Sequence, residues 1–224
     1  KKLQNFVVAS IEEENLNTKL SSMPYKLIID PTNACNLGCP LCPTGLGVSK
    51  RKKKILNFDT FKGIIDQAKD YAIEVHLYNW GEPTLNKNLV RMLKYCKENN
   101  IWTRISTNLS LDFKEGYIEE LLKSGLNLLH ADVDGLDQEV YSKYRKKGNI
   151  KLVYKNLEKI KKIKKDLKLD YPIIELSMLA MRQNEHQHDK FLKSKEKLGA
   201  DVVKIDKIQH NPNMDENWLP ENKN

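Results

Sequence analysis

A chain of 224 residues, 40% hydrophobic and 30% charged, has enough apolar material for one large domain rather than two. Its longest apolar patches, such as Leu27-Ile28-Ile29, are strand-sized and fall far short of the ~20 residues that cross a bilayer, which excludes a membrane-spanning role. The net charge of +8 comes with no aromatic platform or known nucleic-acid motif, so a nucleic-acid partner is not expected either.

In chain order, residues 1–23 read as an N-terminal extension. Leu3-Gln4-Asn5-Phe6-Val7-Val8-Ala9 is too short and too polar for a signal sequence and runs into Glu12-Glu13-Glu14, so no export signal is expected. From residue 24 to 208, short aliphatic runs at 27–30, 75–78, 103–106, 128–132, 173–179 and 202–205 have the character of buried parallel strands. Amphipathic helices lie between them. Phe61, Ile64, Ile65 and Ala68 share a face, as do Leu89, Met92, Leu93 and Cys96, and then Ile118, Leu121 and Leu122, with Gly125 as the stop. The basic stretch 159–168 is the solvated back of another helix, whose buried side carries Val153, Leu157, Ile160, Ile163 and Leu167. A second basic run occupies 50–54. Repeated βα units imply an α/β fold with a parallel sheet and right-handed crossovers, and six units are too few for a closed eight-unit barrel. The expected architecture is a partial (βα)6 barrel with helices on the outer face. Residues 209–224, with His210-Asn211-Pro212-Asn213, read as a polar tail or linker. A start at Lys1 and an end at Lys223-Asn224 are expected of a piece trimmed from a longer protein.

Cys35, Cys39 and Cys42 are spaced i, i+4 and i+7, but Pro40 and Pro43 forbid a helix, so residues 33–44 form a loop whose thiolates can converge. The loop follows the first strand and so lies at the C-terminal rim, where parallel α/β folds carry their sites. Three clustered cysteines cannot all pair as disulfides, which fits a reducing cytoplasm. A structural zinc needs four ligands, and the remaining Cys96 sits on the apolar face of a helix, where cysteine behaves as a small core hydrophobe. An iron–sulfur cluster held by three thiolates keeps one iron open for chemistry. His186 and His188 diverge at i, i+2 spacing and are read as surface or capping residues.

The segment Asp30-Pro-Thr-Asn-Ala-Cys35-Asn-Leu-Gly-Cys39-Pro-Leu-Cys42 resembles the C-x3-C-x2-C loop of radical S-adenosylmethionine (SAM) enzymes. Other rim segments resemble the same family in the same order. Asn79-Trp80-Gly81-Glu82-Pro83 is similar to its GGEP motif, with Trp80 at the first glycine, and Ser106-Thr107-Asn108 to its TNG segment, with Leu109 at the glycine. Asp132-Val133-Asp134-Gly135 is similar to SLDG, with Asp132 at the serine, and Tyr144-Arg145 to the pair that follows it. The junction 178–185 and Leu198-Gly199-Ala200-Asp201 continue the likeness. The resemblance spans residues 24 to 208 and is nearest to the branch with a C-terminal SPASM domain, which the lack of any cysteine after Cys96 leaves out of this chain.

The resemblance implies a [4Fe-4S] cluster on Cys35, Cys39 and Cys42, and a SAM pocket formed by Leu41, Gly81, Glu82, Pro83, Ser106, Asn108, Asp132 and Arg145. Leu41 would pack on the adenine edge, the backbone near Gly81 would meet the SAM amino group, and Arg145 would reach its carboxylate. It further implies that one electron enters the SAM sulfonium, the C5′–S bond breaks, and a 5′-deoxyadenosyl radical takes hydrogen from a peptide, protein or sugar-type substrate. A reductant such as flavodoxin or ferredoxin is the expected partner. No residue is assigned to handle the substrate radical. An iron–sulfur electron carrier or sensor would need none of the rim motifs at Gly81, Ser106 and Asp132. An RNA-modifying enzyme of the same family is the other alternative, resting on charge alone.

Overall fold

The computed structural model describes residues 1–48, 50–208 and 215–221. Six strands, β1 (Lys26–Ile28), β2 (Glu74–His76), β3 (Trp102–Thr107), β4 (Leu128–Asp132), β5 (Ile173–Ala180) and β6 (Val202–Lys207), form one parallel sheet in sequence order. The helices are α1 (Lys2–Glu14), α2 (Pro43–Leu46), α3 (Phe58–Ala68), α4 (Leu89–Glu98), α5 (Tyr117–Leu122), α6 (Gln138–Tyr144), α7 (Ile150–Asp166), α8 (His188–Leu192) and α9 (Lys195–Leu198). The sheet is open, with β1 and β6 at its two edges, as expected for a partial barrel of six units. Val75, Leu77, Ile105, Leu129, Ile174, Leu176 and Met178 face the helices and are fully buried with Phe61, Ile65, Met92, Leu93, Val153 and Leu157. At roughly 1.5–3 kcal/mol for each buried large aliphatic side chain, this layer supplies most of the driving force for folding.

β4 has the bounds read from the sequence, and the other strands differ from that reading by one or two residues at an end. β1 and β2 are the shortest, because the chain leaves the ladder early to build the rim: the Asp30 carboxylate accepts the Trp80 amide at 2.9 Å. The cysteine loop also closes sooner than expected. Pro43 is the first residue of α2, where its missing N–H costs nothing, so Thr44 is helical. The amphipathic reading of α7 holds for Val153, Leu157 and Ile160, and for Ile163, which is partly buried against the core, whereas Leu167 lies past the helix and is 43% exposed.

Helix α1 was not visible in the hydrophobic pattern, because polar clasps attach it and its Leu3, Val7 and Ile11 face solvent. Asn5 exchanges two 2.8 Å hydrogen bonds with the Met23 backbone, and Lys2 reaches the carbonyls of Asn99 and Asn100. The Glu12 carboxylate accepts from the hydroxyls and amides of Ser21 and Ser22, and these donors pull its pKa down from 4.5 to about 2. A depressed carboxylate stabilises the fold above its ordinary value and loses that contribution as pH falls. The clasp is therefore expected to contribute fully above pH 4.5 and to fail as pH drops through about 2. Glu12→Gln should flatten that limb of the stability curve, and an unchanged acid limb in denaturant titrations would contradict this.

Of the tail reading, His210, Asn211, Pro212, Asn213, Lys223 and Asn224 lie outside the described residues. Trp218 is described, and its ring meets Tyr144 edge-on with centroids 5.6 Å apart.

Candidate active site

The cysteine loop leaves β1 and crosses the C-terminal rim of the sheet. Cys35, Cys39 and Cys42 are free thiols gathered in one apolar cluster with Leu37, Leu41, Tyr144 and Met181. Donors surround the sulfurs: the Leu37 amide is 3.4 Å from Cys35 Sγ, Asn108 Nδ2 is 3.9 Å from the same sulfur, and Arg145 Nη1 is 3.9 Å from Cys39 Sγ. Burial pushes the Cys39 thiol up to about 11 against the pull of Arg145, and raises Cys35 as well. Such thiols surrender their protons when metal binds. Among the described residues no three His, Cys, Asp or Glu side chains are close enough to share one metal ion. Three soft sulfur donors in an apolar pocket lined by N–H groups fit an iron–sulfur cluster. Cys96 is fully buried in the main core, its thiol pushed up to about 12, and takes no part. His188 Nε2 lies 3.0 Å from Asn184 Oδ1.

The rim residues singled out in the sequence are contiguous, and several also make contacts within the protein that the sequence did not announce. The missing side chain of Gly81 faces the cysteine loop: a Cβ there would lie 1.8 Å from the Thr32 carbonyl oxygen and 3.0 Å from that of Ala34. Gly81→Ala should thus push the loop outward, costing about 1–3 kcal/mol in stability and weakening iron retention. Wild-type iron content and thermal midpoint in that variant would contradict this reading.

Glu82 is 2% exposed, and its carboxylate accepts from the Thr84 amide and hydroxyl, the Thr107 hydroxyl and the Asn108 amide at 2.6 to 3.1 Å. Burial raises its pKa while these donors oppose the rise. Glu82 is thereby a clamp between the turn after β2 and the end of β3, with Pro83 fixing the turn. Asn108 turns its side chain to Asn36 at 3.0 Å and to the Ser110 amide at 2.8 Å, so it anchors the cysteine loop. Leu109 has φ +51, the left-handed conformation that explains the family's glycine at this place. Its strained carbonyl is held by Asn156 Nδ2 at 2.8 Å.

Arg145 is committed rather than free. Its Nε donates to the fully buried Asp134, and Nη2 lies 3.4 Å from Asp132. Burial disfavours its charge, yet Asp134 and Asp132 raise its pKa well above the ordinary value. Asp132, where the family pattern has serine, is held well below the usual carboxylate range by Arg145 and His130 despite burial. The Ser106 hydroxyl reaches Asp132 at 3.4 Å, so Ser106, Asp132 and Arg145 form one chain of contacts ending at Cys39.

The face of the sheet turned away from the helices carries a polar network that the sequence reading missed. His130 stands between two carboxylates, Glu175 at 2.6 Å on Nδ1 and Asp132 at 3.1 Å on Nε2, with the Ser177 hydroxyl 3.1 Å from Nε2. Burial opposes a charge on His130, but the two carboxylates outweigh it and raise its pKa. Arg104 and Lys204 approach the same Glu175 oxygen at 2.8 and 3.5 Å. The signal was present as alternation: His76, His130, Glu175 and Lys204 occur between aliphatic neighbours, and Arg104 between Thr103 and Ile105. Isolated charged and polar side chains on that one face mark a polar lumen.

The chain spans about half the length of the curated relatives it matches. It is 22% identical over 200 residues to the PqqA peptide cyclase of Bradyrhizobium diazoefficiens, covering 89% of this chain and 50% of that protein. It is 28% identical over 177 residues to the GTP 3′,8-cyclase of Desulforamulus reducens, covering 74% and 50%. Among solved structures, Streptococcus suis SuiB bound to S-adenosylmethionine superposes with a TM-score of 0.72 at 20% identity, covering 94% of this chain and 46% of that one. SuiB bound to the precursor peptide SuiA gives 0.70 at 21% identity, covering 90% and 42%. These similarities share the open six-stranded fold, and the family model for the radical SAM superfamily matches residues 29–193. Since that match covers most of its length, this chain belongs to the radical SAM superfamily.

Proposed function

We propose that this chain carries the core of an enzyme that cleaves SAM reductively and takes a hydrogen atom from a peptide or protein side chain. The observation that carries the first part is the gathering of three free thiols with Arg145 and Asn108 on one rim. Cys35, Cys39 and Cys42 would hold the cluster, with SAM beside it near Leu41 and the rim from Gly81 to Pro83. Once bound, these cofactors supply one-electron cleavage and hydrogen abstraction. The chain's own work is positional. Glu82 locks the β2 and β3 turns together, Asn108 fixes the cysteine loop through Asn36, and Arg145 places positive charge beside Cys39. Leu37, Tyr144 and Met181 keep water from the sulfurs, which strengthens every charge interaction there.

The peptide reading is supported by the relative named as a peptide cyclase and by the lumen. The lumen is polar, is open along the gap between the edge strands β1 and β6, and leaves Arg104 Nε buried without a partner among the described residues. An open side admits an extended chain, and a spare donor suits a backbone or side-chain acceptor. The reading is tested with the reconstituted protein and peptides deuterated at their side chains. Deuterium is expected in the 5′-deoxyadenosine formed. Transfer from labelled GTP or sugar, with none from any peptide, would overturn it.

A further inference from the structure

The basic run at 50–54 has no part in the site described above, yet it is tied to the cysteine loop. Thr32 bridges Ile55 antiparallel, the Thr32 hydroxyl donates to the Lys54 carbonyl at 2.8 Å, and Asn33 bonds the Lys52 carbonyl at 3.0 Å and the Lys54 amide at 2.7 Å. From the other side, the Gly38 amide donates to the Lys146 carbonyl at 3.0 Å, and the Lys146 and Lys147 side chains lie within 4.0 Å of where a Gly38 side chain would be. The loop is therefore held by backbone from two basic segments, whose side chains at Lys50, Arg51, Lys52, Lys53, Lys54, Lys146 and Lys147 are exposed. No Asp or Glu occurs from residue 31 to 58. A cavity of about 290 Å³ opens between the end of the cysteine loop at Pro43 and Thr44 and the basic side chains Arg51 and Lys53; Trp80, 47% exposed, is on its wall with Asp30, the one carboxylate there, which accepts the Trp80 amide.

Resting on the reading that the loop holds a redox cluster, we infer that this basic collar is the docking face for a small acidic one-electron donor protein of the ferredoxin type. The electron has to come from outside the chain, and the collar covers the outer side of the loop that holds the cluster, whereas the substrate is placed in the lumen. Exposed charge of one sign around one point steers an oppositely charged protein to that point and is screened by salt. A half-exposed aromatic beside it supplies the apolar contact that such interfaces use at their centre. The electron balance is simple: the donor's reduced iron–sulfur centre gives up one electron, the cluster on Cys35, Cys39 and Cys42 gains it, and no proton or ligand is exchanged.

The test compares two reductants on the reconstituted protein and on its variant Lys52→Glu with Lys53→Glu, two side chains in solvent. With reduced ferredoxin, formation of 5′-deoxyadenosine is expected to slow roughly tenfold in the variant and to slow in the unaltered protein as salt is raised. With dithionite, the two proteins are expected to react equally. Equal rates with ferredoxin, or loss of RNA affinity in the variant at an unchanged ferredoxin rate, would overturn the docking face. Should dithionite drive no SAM cleavage in the unaltered protein, the failure lies with the proposed activity. Direct titration with ferredoxin then decides the face, and equal affinity for both proteins would overturn it.

Discussion

Cys39→Ala is expected to leave the reconstituted protein nearly free of iron and to lower SAM cleavage by at least about 100-fold, since loss of an outer partner of a metal site alone costs 10–100-fold. Cys39 is the most buried of the three loop thiols, is 6% exposed, and is the one that Arg145 faces. Alanine removes a sulfur from a pocket that no other described side chain can refill, because Cys96 lies in a different apolar cluster. The paired control is Cys96→Ala, which should keep about four irons per chain and cost only roughly 1 kcal/mol of packing. Iron content and 5′-deoxyadenosine are measured together. Iron retained in the Cys39 variant, or lost in the Cys96 variant, would show that the cluster is held elsewhere.

Arg145→Ala is expected to destabilise the fold by about 3–5 kcal/mol, a large share of the ~5–15 kcal/mol that holds a domain together. The cause is the charge left behind. Asp134 is fully buried, and apart from Arg145 its carboxylate receives the Leu179 amide at 2.8 Å. Asp132 retains His130 and Ser177, so Asp134 is the group left stranded. Adding Asp134→Asn to Arg145→Ala should recover part of the loss, because the buried charge is then gone. Denaturant midpoints of the single and double variants measure this. A single variant within ~1 kcal/mol of wild type would mean that the guanidinium is not a structural counter-ion.

The fold was legible because its two periodicities are clean. Alternation of aliphatic strands with amphipathic helices such as α3, α4 and α7 leaves one arrangement that buries every apolar face. The gathering of the three loop cysteines was legible for a local reason: proline at 40 and 43 forbids a helix, so the thiols lie in one loop and can converge. The rim segments stood out by resemblance, but their contacts within the protein did not. Nothing in Gly81 itself says that the Thr32 carbonyl will occupy the place of its side chain, because that contact joins two segments nearly fifty residues apart. For the same reason the hydrogen bonds of Glu82 and Asn108 across the β2 and β3 turns escaped notice. The lumen was missed because its charged residues are isolated in strands that look wholly apolar when read by composition. Period-two reading of His130 and Glu175 would have exposed it. Helix α1 escaped because Asn5 and Glu12, two polar residues, hold it in place.

The most direct test of the account is anaerobic reconstitution of the chain with iron and sulfide, followed by SAM and dithionite, with 5′-deoxyadenosine as the readout. The account predicts 5′-deoxyadenosine from the unaltered chain and essentially none from Cys39→Ala. A fully reconstituted cluster that binds SAM and yields no 5′-deoxyadenosine, or equal yields from both proteins, would contradict it.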